Sequence, residues 1–432
     1  MRRIVRSRQR TNSQTVSRRD VLNVAATLAA GAASSSSAAA EEIAASHGNL
    51  PPNVPEWQTA PGAEVTTPPY GLPSKFEADV VRRERTGGSP YPTRLAAVSL
   101  TPLQDLHGVI TPNGLHYERH HAGVPTIDPA EHRLIIHGLV DKPMIFTMAD
   151  IMRFPAMTRT HFLECSGNTQ NWGKPDARLT VQDTHGLLSC SEWTGVALKA
   201  VLGECGPRPD ALWMLAEGAD AAAMTRSVPI AKVFDDALLA YAQNGERLRP
   251  EQGYPLRLLL PGYEGNTSVK WLRRLKFGAE PWDTREETSK YSWIMPDGTA
   301  RQFNFVMEAK SVITTPSGGR RLAAPGFYEI SGVAWSGRGK VVKVEVSADR
   351  GATWAEAALQ EPVLSKCLTR FRLPWRWSGQ PAALSSRATD ETGYVQPSRD
   401  DLLKMRDARS YYHYNAIQTW NVAEDGAVTN AG

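Results

Sequence analysis

Alternation with a period of two is the strongest constraint on the fold of this chain. From about Ser311 onward, runs such as FYEISGVAWSG, VVKVEVSADRGATW, TRFRLPWRW and AALSSRATDETGYVQP recur between turn-forming residues. In VVKVEVS, Val342, Val344 and Val346 alternate with Lys343, Glu345 and Ser347, the pattern of a half-buried strand. Asp349-Arg350-Gly351 supplies the turn before Trp354. About 90 residues of this texture predict an immunoglobulin-like β-sandwich in which the Trp and Val residues are core.

The preceding stretch mixes helix and strand. SEWTGVALKAVLGECG predicts a short helix, with Val196, Ala197, Ala200 and Val201 at helical spacing and Gly203 or Gly206 as the stop. LWMLAEGADAAAMTRSVPI predicts a strand, a loop carrying Asp220, and a turn at Pro229. ALLAYAQNGERL runs into Asn244-Gly245, a strong hairpin signal. GYPLRLLLPG places Leu256, Leu258 and Leu260 on one face and Arg257 on the other. In NTSVKWLRRLKFG, Val269, Trp271, Leu275 and Phe277 are expected to pack while Lys270 faces away. The fold class is therefore α+β, a mixed α/β domain followed by the sandwich. The expected boundaries are an export signal (1–40), a Pro-rich extended arm (41–101), the mixed domain (102–305), the sandwich (306–422) and a tail (423–432).

The formal charge of +4 suggests little about partners once its distribution is considered. Residues 1–40 carry seven arginines against one acid, Asp20, so the rest of the chain is near −2. A nucleic-acid partner therefore loses its main support. The N-terminus orders a basic region ending Ser17-Arg18-Arg19-Asp20, an Ala-rich apolar run, and small residues ending at Ala38-Ala39-Ala40. That is the pattern of a twin-arginine export signal, which carries proteins already folded, and it predicts a periplasmic location. No later stretch has the roughly 18 to 20 apolar residues of a membrane span. The arm contains LPPNVPEWQTAPG and TPPYGLPSKF, whose prolines exclude regular structure, with Trp57, Tyr70 and Phe76 as its expected anchors.

Four cysteines (Cys165, Cys190, Cys205, Cys367) form no CxxC pair, and no CxxCH haem site is present. A Cys190–Cys205 disulfide is one pairing the sequence leaves open. Cys165 follows Phe162-Leu163 and precedes Ser166-Gly167-Asn168, which places a thiol where a strand gives way to a turn. It reads as a metal ligand or as a buried structural cysteine. HYERHHAGVPTIDPAEHRLIIHG holds His116, His120, His121, His132 and His137, but without the HxxxH spacing of a helical zinc site. His132 and His137 read as surface or strand-end residues. Arg119 and His121 share one face of an extended segment and either meet an anionic ligand or form a solvated turn.

Seven stretches in this order resemble the sulfite oxidase family of molybdenum enzymes. They are YERHH, ECSGN, SEWTGV, the GADAAA loop, GYPLRLLLPG, SVKWLRRL and AWSGRGKVVKVEVSADRGATW. PNGLHYERHH, EGADAAAMTRS, REETSKY, MEAKSVIT and EPVLSK are similar to the molybdenum subunits of sulfane dehydrogenases within it. The resemblance implies a molybdenum–molybdopterin cofactor with Cys165 as its thiolate ligand. It implies pterin contacts from Tyr117, Glu118, Arg119, His120, His121, Asp220, Gln252, Arg257, Ser268, Val269 and Lys270. Tyr291 matches the active-site tyrosine, and Arg119 also matches an arginine of the oxyanion pocket.

The sequence also departs from the family. A pocket arginine five residues after the cysteine is Gln170 here, another falls at or near His413, and Gln252 stands where a histidine is usual. A pocket with fewer cations suits free sulfite less and suits sulfane sulfur on a carrier protein's cysteine better. The expected activity is oxidation of such sulfane sulfur, with electrons passing to a c-type cytochrome subunit that carries the haem this chain lacks. A homodimer through the sandwich, extended to a heterotetramer with the cytochrome, is implied. The alternatives are a sulfite dehydrogenase, a molybdenum reductase of oxidised sulfur groups (against which the C-terminal sandwich argues) and a non-catalytic periplasmic protein.

Overall fold

The computed structural model describes residues 70–84, 94–169, 175–407 and 409–432. Residues from Lys75 onward form one unit, and Tyr70–Ser74 fall in a separate one. The export signal, most of the arm with Trp57, and Gln170 lie outside the described residues. Tyr70 and Phe76 are 64 % and 83 % exposed, so neither anchors the arm by burial as expected. No helix among the described residues is long and apolar enough to cross a membrane.

Two five-stranded sheets frame the mixed half. In one, Leu272–Gly278 runs parallel to Arg133–Gly138 and antiparallel to Trp213–Gly218, with Met144–Thr147 and Thr225–Pro229 at the edges. In the other, Leu188–Ala197 lies between Ala156–Glu164 and Leu238–Gln243; the latter continues through Asn244-Gly245 into Glu246–Arg247 and also pairs Arg257–Leu259. Asn244 and Gly245 both have positive φ, the geometry that made this dipeptide a hairpin signal. The SEWTGV segment is strand, and helix begins only at Leu198, ending at Cys205 with left-handed Gly206 rather than Gly203 as its stop. β-Branched and aromatic residues there pack on a neighbouring strand, and that tertiary gain overrides the helical spacing.

The C-terminal half is a sandwich of a four-stranded and a five-stranded sheet. The first orders Lys310–Thr315, Gly326–Trp335, Thr369–Trp377 and Ala358–Leu359; the second orders Ala355–Glu356, Val341–Ser347, Ala382–Asp390, Thr419–Val422 and Val428–Asn430. Trp335, Trp377 and Trp420 are core, as expected, whereas Trp354 and Trp375 are only partly buried. One detail differs. A bulge between Val341 and Lys343 shifts the register, so Val341 is buried and Val342 is 53 % exposed.

The hydrophobic core crosses the seam between the halves. Leu103, Phe162, Val181, Leu188 and Cys190 belong to the same buried cluster as Val312, Trp335, Phe371 and Trp420. Cys190 Sγ lies 3.5 Å from Cys367 Sγ, and all four cysteines are free, so the Cys190–Cys205 pairing is not formed. Cys205 instead packs in the core of the other five-stranded sheet.

Candidate active site

The strand Ala156–Glu164 ends in a turn that presents Cys165 to a cavity open to solvent. Cys165 N donates to Leu187 O at 3.0 Å and Asn168 N to Cys165 O at 2.8 Å, which ties the turn to the sheet. Below it, Glu164 is fully buried and accepts from Lys310 Nζ (2.9 Å), Trp335 Nε1 (2.6 Å) and Asn168 Nδ2 (3.0 Å). Lys310 also donates to Thr169 Oγ1 at 2.9 Å. Lys310 and Trp335 come from the sandwich, so the C-terminal half holds the cysteine turn from beneath. Burial raises the Cys165 thiol above its ordinary value, opposed by the Gly167 N–H and the Arg119 charge. A bound metal would replace the thiol proton outright.

Most of the sequence-derived residues converge here. Tyr117, Arg119, His120, His121, Asp220, Gln252, Arg257, Ser268, Val269, Lys270 and Tyr291 all line the cavity with Cys165. Glu118 does not: it turns away, pairing with Arg82 and with His120 Nε2 at 2.7 Å. His132 is buried rather than superficial, 2.9 Å from Leu272 O through Nε2. Among the described residues no group of three or more His, Cys, Asp or Glu is arranged to hold a metal ion. His116, His120 and His121 of the histidine-rich segment are part of the cavity wall.

The cavity is short of negative charge. Arg257 is buried and, among the described residues, bonds the carbonyls of Gln252 (3.1 Å) and Ser268 (3.0 Å) and Gln252 Oε1 (3.4 Å), with Nε finding no partner. Burial pushes its guanidinium down to about 10. Lys270 Nζ donates to Arg119 O (3.2 Å) and Glu251 O (3.0 Å) and lies 3.0 Å from His120 Nδ1. Burial, then repulsion by Arg257, pushes it down to about 7. Cations held this way by carbonyls fit an anionic ligand that brings its own charge. Gly265 lets the backbone pack tightly against the wall: a Cβ there would lie 2.7 Å from Tyr117 Oη and 3.0 Å from Glu164 O. The thiol and the orphaned guanidinium N–H in one cavity fit a phosphate-bearing metal cofactor.

A buried ion network backs Tyr291. Arg226 Nη1 meets Glu264 Oε1 and Arg226 Nε meets Glu287 Oε1, each at 3.0 Å, and the guanidinium lies 5.0 Å from the Tyr291 ring centre. His413 Nε2 lies 2.9 Å from Glu264 Oε2, so this position faces the network and is absent from the cavity wall. Desolvation would raise the Glu264 carboxyl, but Arg226 and His413 outweigh it and hold it below the usual range. Thr169, Trp271, Tyr291 and His413 all have positive φ, between 48° and 59°, and of these Trp271 and Tyr291 line the cavity. Arg226, Glu264 and Lys310 went unassigned from sequence. Arg226 stands inside the MTRS motif, but sequence gave no indication that it meets Tyr291, 65 positions away.

The family described as "Oxidoreductase molybdopterin binding domain" matches residues 121–286, and "Mo-co oxidoreductase dimerisation domain" matches 301–420. Mitochondrial sulfite oxidase of Mus musculus is 29 % identical over 369 residues, covering 79 % of this chain and 66 % of that protein. NADH nitrate reductase of Solanum lycopersicum is 31 % identical over 363 residues, 69 % of this chain and 37 % of the relative. The chain thus spans just under two thirds of the first relative and little more than a third of the second. The crystal structure of the sulfane dehydrogenase SoxCD from Paracoccus pantotrophus superposes with a TM-score of 0.85 at 45 % identity, over 88 % of this chain and 97 % of that one. Cavity, thiol, two-part architecture and these likenesses agree: the chain belongs to the sulfite oxidase family of molybdopterin oxidoreductases.

Proposed function

We propose that this chain is the molybdenum-bearing subunit of a sulfane dehydrogenase, oxidising sulfane sulfur held on a carrier protein's cysteine. The observation that carries the reading is the joining of the Cys165 thiol, Tyr291 and carbonyl-held Arg257 and Lys270 in one cavity. The 45 % identity with SoxCD supports the choice of substrate class. So does His413, which is locked to Glu264 where a sulfite pocket would want a free cation.

In this reading Cys165 holds the metal, Arg257 and Lys270 neutralise the cofactor phosphate, and Gln252, Ser268 and Asp220 orient the pterin. The bound cofactor supplies two-electron redox chemistry at sulfur. The protein's part is positional: Arg119 at the wall attracts an anionic sulfur group, and Tyr291, braced by Arg226, offers a hydroxyl to oxygen near the reacting atom. Burial raises the Tyr291 phenol, with the charge of Cys165 adding to it, so the group stays a hydrogen-bond donor at neutral pH. A c-type cytochrome as acceptor, a homodimer through residues 301–420 and twin-arginine export to the periplasm complete the proposal.

Loaded enzyme should turn over a persulfidated carrier protein at a kcat/KM at least ~100-fold above that for sulfite, about 2.7 kcal/mol of discrimination. The reverse preference would overturn this reading in favour of a sulfite dehydrogenase.

A further inference from the structure

Three tyrosine rings run from the cavity to the surface. Tyr291 lines the cavity beside Cys165. Its ring centre is 4.9 Å from that of Tyr412, and Tyr412 is 5.0 Å from Tyr411, at interplanar angles of 45° and 82°. Both spacings are those of rings in van der Waals contact. Tyr411, at the end of the series, is 52 % exposed.

The segment is held on both sides. Ser410 Oγ donates to Ile294 O at 2.9 Å and accepts from Ile294 N at 2.8 Å, fixing the start of the tyrosine pair to the chain just past Tyr291. His413 N donates to Ser166 O at 2.8 Å, fixing its end to the cysteine turn. Arg226 under Tyr291 fixes the innermost ring. The last ring leaves an aromatic face in solvent at the end of a series held at both ends.

We propose that Tyr411 is the contact on which a c-type haem protein docks, with Tyr412 and Tyr291 carrying electrons from the cavity to it. The inference rests on the functional reading above and adds the exit route and the docking residue. Oxidation of one substrate sulfur by one water, forming one S–O bond, releases two protons and two electrons. The electrons leave singly, each reducing one ferric haem to ferrous, and no bond of the tyrosines is made or broken. A planar haem edge stacks on an exposed phenol ring, and tyrosine is among the residues that most often dominate an interface. Rings in contact at 4.9 and 5.0 Å leave short gaps for an electron to cross. A carrier-protein arm threading into the cavity needs no such continuity.

The test uses the full chain with Tyr411→Leu and Tyr411→Phe, and mitochondrial-type cytochrome c as probe. On cofactor-free protein, surface plasmon resonance should show Kd for the cytochrome raised ~10-fold or more by Tyr411→Leu and changed less than ~2-fold by Tyr411→Phe, since the ring and not the hydroxyl is used. On loaded protein, cytochrome reduction should fall with Tyr411→Leu while ferricyanide reduction holds. An unchanged Kd, or equal losses with both acceptors, would overturn the proposal. So would weakened carrier-protein binding with cytochrome binding intact. Parent protein that reduces ferricyanide but binds no cytochrome ends this inference alone; parent protein that oxidises no sulfur substrate ends the functional reading too.

Discussion

Cys165 and His116 show how much a single position can decide. Cys165 reads from sequence as ligand or core, and the structure gives it a cavity, a fixed turn and a nearby arginine. Replacing it with serine should leave folding intact, because the backbone bonds of the turn remain, and should reduce retained molybdenum to background by elemental analysis. His116 carries a different consequence. Burial, opposed by its bond to the Tyr117 carbonyl and reinforced by Arg257, pushes its imidazole down to about 3. A lowered folded value means the unfolded chain takes up the proton first. The stability this histidine contributes is therefore complete above pH 6.5 and lost as pH falls toward about 3. Urea unfolding at pH 7, 5 and 4 should show a steeper fall for the parent than for His116→Asn, which keeps a donor for the Tyr117 carbonyl.

At the scale of elements, the strand Lys310–Thr315 and the turn after Ala156–Glu164 form one working piece. Lys310 and Glu164 are both fully buried and joined at 2.9 Å, so removing one leaves the other as an uncompensated charge. Lys310→Met should cost about 3–5 kcal/mol in denaturant unfolding. Adding Glu164→Gln should recover part of that loss, and both variants should hold less molybdenum than the parent. How legible these elements are follows from the range of the signals that specify them. The Asn244-Gly245 hairpin and the placement of Leu256, Leu258 and Arg257 were readable because neighbours along the chain determine them. The SEWTGV strand and the Val341–Lys343 bulge were not, because a partner strand distant in sequence decides both. The cavity wall was largely legible through motif resemblance, down to Arg257 and Lys270. The network of Arg226, Glu264 and Glu287 was not, since no local pattern brings those three together.

On the scale of the whole molecule, the two halves are separate motifs in sequence but share a core. Leu103, Phe162, Val181 and Leu188 pack among sandwich residues, and Lys366 of the sandwich bonds Asp236 of the other half at 2.5 Å. A chain ending at residue 305 would expose that apolar seam and lose the lysine beneath Glu164. It should be insoluble or molten by near-ultraviolet circular dichroism, while the full chain should melt in a single calorimetric transition rather than two.

The carbonyl-held cations of the cavity bear on how a cell distinguishes a finished copy from an unfinished one. Arg257 and Lys270 lose hydration without gaining a carboxylate, so an empty copy carries an electrostatic burden that an anionic cofactor relieves. Loading and folding are therefore thermodynamically coupled, and the vacant copy is the softer one. Any protease that samples looseness would then sort copies by cofactor content without recognising the cofactor at all.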